Sequence, residues 1–398
     1  LKKRIAALLL ITFVIILAGG CWSRVELTEL AIVLGAGVDL AEDGRILLTL
    51  QIARPGAFTA GSEGGGRGKE AASWVISAEG RTVPEAERFL AMKIPRHIYW
   101  GHCIILVLGE ELARREGTGI VTNFYQRERE PRENIYVLVA RGRARDFLET
   151  YSSLERTSAQ AAGFLERMKT GYTVQLRELA EMLVSRGIQP AVTAVEVTEA
   201  GTMPGQVPGG PPPPQKEVGV AGTAVFKQDK LIGWLDPWET RGFLWLKGEI
   251  MKGVIIVPGP EQPEKLVSIR IRRGKTKIIP EYNGEYPRFL VKIQVEGDMV
   301  EQQTRENLAT PEKIKLLEEE MASEIKARAE AALDKVQGEY GVDIFGFGEA
   351  FHRKYKKEWR KLKYHWDEEF SRAEVEIAVD AQIREIGLLT RRAGIPEE

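Results

Sequence analysis

The chain has 398 residues, of which 43% are hydrophobic, with 56 Lys and Arg against 57 Asp and Glu. At roughly 100–200 residues per domain, this length predicts two or three domains. The near-zero charge leaves no basic excess for a nucleic-acid-binding protein, and two cysteines are too few for a disulfide-stapled fold.

Residues 1–20 read as an export signal. Lys2, Lys3 and Arg4 form a positive start, and Ile5 to Leu17 an apolar run too short for a comfortable bilayer span. Ala18, Gly19 and Gly20 then lead into Cys21, an order that resembles a lipobox. The expectation is cleavage before Cys21 and a covalent diacylglycerol on its thiol. An uncleaved anchor helix and an ordinary secretory signal are the alternatives, and all three export the remainder. Without the three leader cations the balance is 53 basic against 57 acidic residues. Cys103 then has no cysteine partner. It opens the apolar run Cys103 to Leu108, where an inert buried thiol is expected rather than a nucleophile.

A hairpin is expected next, with strands over 31–39 and 45–53 about a turn at Glu42, Asp43 and Gly44. The Gly-rich stretch 61–68 reads as a loop. It is no phosphate cradle, because Lys69 is followed by Glu70 where a hydroxyl would be needed. Strands over 72–78, 101–108 and 134–140 alternate with helices over 83–94 and 110–126, predicting a mixed α/β layer. Helices over 158–169 and 174–185 and a strand over 191–196 close that unit. The tract 201–214 is rich in Gly and Pro and reads as a linker or long loop. Short strands follow over 218–226, 230–235, 253–257, 266–273, 276–281 and 288–296, with a tight turn expected at Gly274 and Lys275. Thr310 and Pro311 are an N-cap and a first-turn proline, and they open the longest helix. Another helix is expected over 348–364. The alternating run 373–386 then predicts a strand at the edge or open face of an antiparallel sheet.

No catalytic or metal-binding constellation emerges. His97 and His102 are five residues apart, a spacing that does not share a helical face, and no Cys or acidic pair completes a ligand set. His352 and His365 sit among Lys and Arg, which repel a divalent cation. That basic run suits either solvent, anionic lipid or an acidic partner. Ser152 and Ser153 lack the glycines of a nucleophile elbow. Tyr99, Trp100, Trp234, Trp238 and Trp245 fit a small-molecule pocket or a core.

Several stretches together resemble the Ger(x)C lipoprotein family, the C subunits of spore germinant receptors. They are Cys21-Trp22-Ser23-Arg24-Val25-Glu26-Leu27 running into the first strand, Gly101-His102, Arg127 to Glu130, and Glu239-Thr240-Arg241-Gly242 with Trp245. The most telling are Tyr340-Gly341-Val342-Asp343-Ile344-Phe345-Gly346-Phe347-Gly348 and Trp366 to Phe370. Cys21 is the lipidation position. Trp22, Glu26, Arg241, Asp343, Phe345, Gly346 and Trp366 stand out as structural or interaction residues, with Gly346 allowing a bend that Phe345 and Trp366 would pin.

The resemblance implies a non-enzymatic, lipid-anchored receptor subunit on the outer face of the inner spore membrane. Its partners would be integral membrane A- and B-type subunits, and its only prosthetic group the lipid on Cys21. The expected fold is a multi-domain α+β body of mixed sheets with helices packed on them, ending in an antiparallel sheet with long helices. The expected divisions are a signal peptide at 1–20, an N-terminal α/β domain at 21–200, a linker at 201–217, a small β subdomain at 218–260 and a C-terminal α+β domain at 261–398. The alternative function is a solute-binding lipoprotein of a transporter, which would need two doubly wound lobes facing a cleft.

Overall fold

The computed structural model describes residues 3–5, 26–56, 72–150, 152–199, 216–250 and 252–387. The Gly-rich loop, the whole tract 201–214, Cys21 and Trp22 lie outside them.

The first sheet is centred on β1 (Leu30–Leu40), which forms the expected antiparallel hairpin with β2 (Ile46–Ala53). β3 (Ser73–Gly80) pairs outside β2, and α1 (Val83–Ala91) follows it, its N-cap Thr82 accepting from Glu85 N. Short β4 (His97–Tyr99) lies beside the start of β1, and β5 (Ile105–Gly109) runs parallel to the rest of it. After α2 (Glu110–Arg115) and α3 (Gly119–Arg127), β6 (Tyr136–Ala140) continues the parallel order. After α4 (Ala144–Glu149), α5 (Ser158–Arg167) and α6 (Leu176–Val184), β7 (Ala191–Glu199) adds to it. β5 is buried at all five positions because both faces are covered, as parallel strands require. Ile105 and Val107 meet α4 and α5 in one cluster, while Leu106 and Leu108 join the larger core on the other face.

The stretch 218–260 does not form a sheet of its own. β8 (Lys216–Lys227) extends the first sheet antiparallel to β7, β9 (Lys230–Leu235) pairs antiparallel to β8, and β10 (Val254–Pro258) opens a second sheet. Between them stands a helix absent from the sequence expectation, α7 (Pro237–Lys247). Asp236 caps it by accepting from Glu239 N at 2.7 Å, and Glu239 accepts from Asp236 N at 2.8 Å.

The second sheet has the order β10, β11 (Leu266–Tyr282), β12 (Pro287–Gln302), β13 (Glu374–Glu385). The expected turn at Gly274 and Lys275 is instead the middle of a 17-residue strand. Its glycine serves packing: a Cβ on Gly274 would lie 2.6 Å from Ile250 Cγ2 and 2.8 Å from the Trp245 ring. The last strand takes an edge as expected, but it pairs parallel to β12, because the whole helical segment 311–372 intervenes and returns the chain to the same end.

That segment begins with α8 (Pro311–Leu333), capped by Thr310, whose side chain accepts from Lys313 N, and buried through Leu317, Met321, Ile325, Ala329 and Ala332. A π-helical turn, Asp334–Tyr340, ends it. The single helix expected over 348–364 breaks at Tyr355 (φ −115°, ψ 61°) into α9 (Phe347–Lys354) and α10 (Lys356–Leu362), followed by α11 (Trp366–Arg372). One hydrophobic core runs from the first sheet through α7 into the second.

The candidate junction around Asp343

Two turns meet where the sheets join. The chain leaves the long helix at Gly341 and reaches α9 at Phe347, and the carboxylate of Asp343 organises what lies between. Its Oδ1 accepts from the backbone N–H of Phe345 (3.0 Å), Gly346 (2.9 Å) and Phe347 (3.2 Å). Its Oδ2 accepts from Gly348 N at 2.7 Å and from the Trp366 indole Nε1 at 3.0 Å. Asp343 is fully buried. Burial pushes its carboxyl pKa up, and the N–H donors pull the other way. Gly346 holds φ +88°, a conformation that glycine adopts without strain.

The first unit closes on this turn. Gln189 N donates to Asp343 O at 2.6 Å, and the Gln189 amide reaches Asp367 Oδ1 at 3.3 Å. A Cβ on Gly348 would lie 2.7 Å from Gly187 Cα, so the two backbones touch directly. Aromatic rings continue the link: Tyr172 lies 4.7 Å from Phe243, Phe243 5.8 Å from Phe345, Phe345 5.6 Å from Phe347, and Phe347 4.8 Å from Phe289 on the second sheet. An open cleft of about 640 Å³ lies beside the turn, between Met182, Arg186, Asp229, Tyr364 and Asp367.

Of the residues singled out in the sequence, Asp343, Phe345, Gly346 and Trp366 come together here. Arg241 does not. It lies on α7, half-buried, donating from Nη1 to Lys252 O at 2.8 Å, with Nη2 buried and unpartnered. Burial, and after it the Arg328 charge, lowers the Arg241 pKa. Glu26 is exposed at the start of a short 3-10 turn ahead of β1. The aromatic residues considered as a pocket are dispersed: Trp245 is core, Trp238 is exposed, and Trp100 donates to Glu87 Oε1 at 2.7 Å. His97 faces Glu130 at 3.1 Å and His352 stacks on Trp359, and among the described residues no metal-ligand cluster occurs. Cys103 is buried, its thiol pushed up to about 12 by burial.

Gln189 and Gly187 carry no motif of their own, and their part appears only once the two units are packed. Two further buried acids escaped the sequence reading. Asp39 ends β1 by accepting from Ala144 N (2.7 Å) and Arg145 N (2.9 Å) at the start of α4. Glu166 on α5 is pushed up to about 7 by burial, and its Oε2 has no hydrogen-bond partner. The Thr173 and Thr193 hydroxyls, which donate to the carbonyls of Glu166 and Tyr172, lie close enough to pull the Glu166 pKa partly back down.

This architecture is a two-sheet α+β protein whose units share a core and a buried turn. The comparisons place it further. Residues 23–197 match the family described as "Spore germination protein N-terminal domain", and residues 221–387 match "Spore germination B3/ GerAC like, C-terminal". The chain belongs to this family of spore germination proteins, the Ger(x)C family. Relatives in Bacillus subtilis (strain 168) include spore germination protein KC, 28% identical with 97% of each chain covered. Spore germination protein B3 is 24% identical, covering 94% of this chain and 96% of its own. The fold is shared with the crystal structure of the GerBC protein, at TM-score 0.54 and 22% identity, covering 88% of this chain and 96% of that one. The second sheet, mostly antiparallel, is not the second doubly wound lobe that a solute-binding lipoprotein would need.

Proposed function

We propose that this chain is the lipid-anchored, non-enzymatic C subunit of a nutrient germinant receptor. It acts with integral membrane A- and B-type subunits to trigger spore germination, from the outer face of the inner spore membrane. The observation that carries the reading is that both halves of the chain match spore germination families and that relatives are covered almost end to end. The junction suits such a role: its residues serve packing and backbone capture, and the charged groups it buries are bound by N–H donors rather than aimed at a substrate. A covalent lipid on Cys21 is the only prosthetic group in this account.

The test is co-purification from detergent-solubilised spore membranes carrying a tagged chain. The A- and B-type subunits should come with it at a fixed ratio, and Cys21→Ala should leave the protein unprocessed or released from the membrane fraction. A wild-type chain that purifies alone, or a Cys21→Ala chain that stays processed and anchored, would overturn the corresponding part of the reading.

A further inference from the structure

The helices following the Asp343 turn carry charge that the rest of the molecule does not neutralise. Residues 353–363 hold seven Lys and Arg, and the whole span 350–366 holds one carboxylate, Glu358. The buried face of these helices is apolar, with Phe351 and Trp359 in the core, while Arg353, Lys356, Lys357, Arg360 and Lys361 are exposed. Among the described residues none of the seven makes an ion pair; Lys354 donates to Pro280 O, and Lys363 lies 4.8 Å from the Tyr364 ring centroid. Tyr364 itself is 65% exposed.

The topology says which way this ridge faces. β1, β5, β6 and β7 are parallel, so the segment before β1 and the loop 185–190 before β7 leave the sheet at the same end. The β8–β9 turn at Gln228 and Asp229 is there too, since β8 runs antiparallel to β7. The ridge reaches that end: Arg186 lies 5.8 Å from the Tyr364 ring, and Gln189 holds Asp367. The chain enters at Glu26, five residues after Cys21. At roughly 3.6 Å per extended residue those five residues reach at most about 18 Å. A body tethered so closely must turn this end to the bilayer. Three strand spacings, at about 4.8 Å each, separate β1 from β7.

We infer that the cationic ridge on α9 and α10 rests on anionic phospholipid headgroups and fixes the orientation of the anchored body, an inference that depends on the lipid anchor proposed above. Cations on an exposed helix face gain from a negative surface potential, and an exposed tyrosine suits the headgroup layer. Of the acidic residues at the same end, Asp367 is held by Gln189 and Lys227, Glu349 by Ser185, and Glu358 is half-buried, while Glu26, Glu29 and Glu368 are exposed and fewer than the cations of the ridge.

The full acylated chain, reconstituted into vesicles of phosphatidylcholine alone or with phosphatidylglycerol, would be treated with a membrane-impermeant amine reagent and read by mass spectrometry. Lys356, Lys357 and Lys361 should label several-fold more slowly on the anionic vesicles, with high salt restoring them. Lys216, exposed at the opposite end of the first sheet, should not change. Arg353→Glu with Arg360→Glu, both on the exposed face, should abolish most of the protection. Equal labelling on both vesicle types, or protection appearing only when other membrane proteins are present, would overturn the inference and point to an acidic protein partner. Flotation of the vesicles reads the anchor separately: loss of flotation on both compositions would overturn the anchor and this inference with it.

Discussion

Asp343 is held by five N–H donors and, among the described residues, by no cation. Removing the carboxylate would strand those donors in a site without water access, at about 1–3 kcal/mol for each buried group left unpaired. Asp343→Ala should therefore lower stability by at least roughly 3 kcal/mol, read as a shift in the denaturation midpoint; an unchanged midpoint would mean that the turn holds itself. Glu166 makes an opposite prediction. Burial lifts its folded pKa to about 7, above the ordinary glutamate value of 4.5. The folded state keeps the proton longer than the unfolded chain, so its burial is harmless below about pH 4.5 and destabilises increasingly up to about pH 7. Glu166→Gln should be more stable than the parent by roughly 3 kcal/mol at pH 8, with the gap closing toward pH 4.5. Denaturation at the two pH values checks this, and a gap that does not depend on pH would contradict it.

Among the elements, those with a strong local signal were legible in the sequence. The hairpin of β1 and β2 and the start of α8 at Thr310 and Pro311 stand where alternation and capping place them. Helix α7 is not among the expected elements although Asp236, Pro237 and Glu239 form a capping box with a first-turn proline; on sequence alone its Trp238 and Trp245 fit a pocket or a core equally. Gly274 suggests a turn because a glycine in a strand marks either a turn or a close approach, and only Trp245, distant in sequence, decides which. Of the candidate site, Asp343 to Gly348 and Trp366 were visible as a motif, but Gln189 and Gly187 were not, because their role is a backbone contact across the two units. Gly242 on α7 is another such contact. A Cβ there would overlap the Arg328 carbonyl oxygen on α8. Gly242→Ala should force the two helices apart and lower stability by roughly 1–3 kcal/mol. Unchanged thermal unfolding would show that α7 can shift without loss.

At the scale of the whole molecule, the two family matches divide the chain at 197 and 221, yet the first sheet crosses that division, with β8 and β9 completing it. The shared core and the Asp343 turn pack the two sheets against each other. In the role proposed above, that packing would let a change at one sheet bear on the other. The most direct measurement is dipicolinate release from spores lacking this chain, over a panel of nutrients, with a germinant that bypasses receptors as control. The account predicts selective loss of one nutrient response with the control intact, restored by the wild-type chain. Wild-type responses to every nutrient would contradict it.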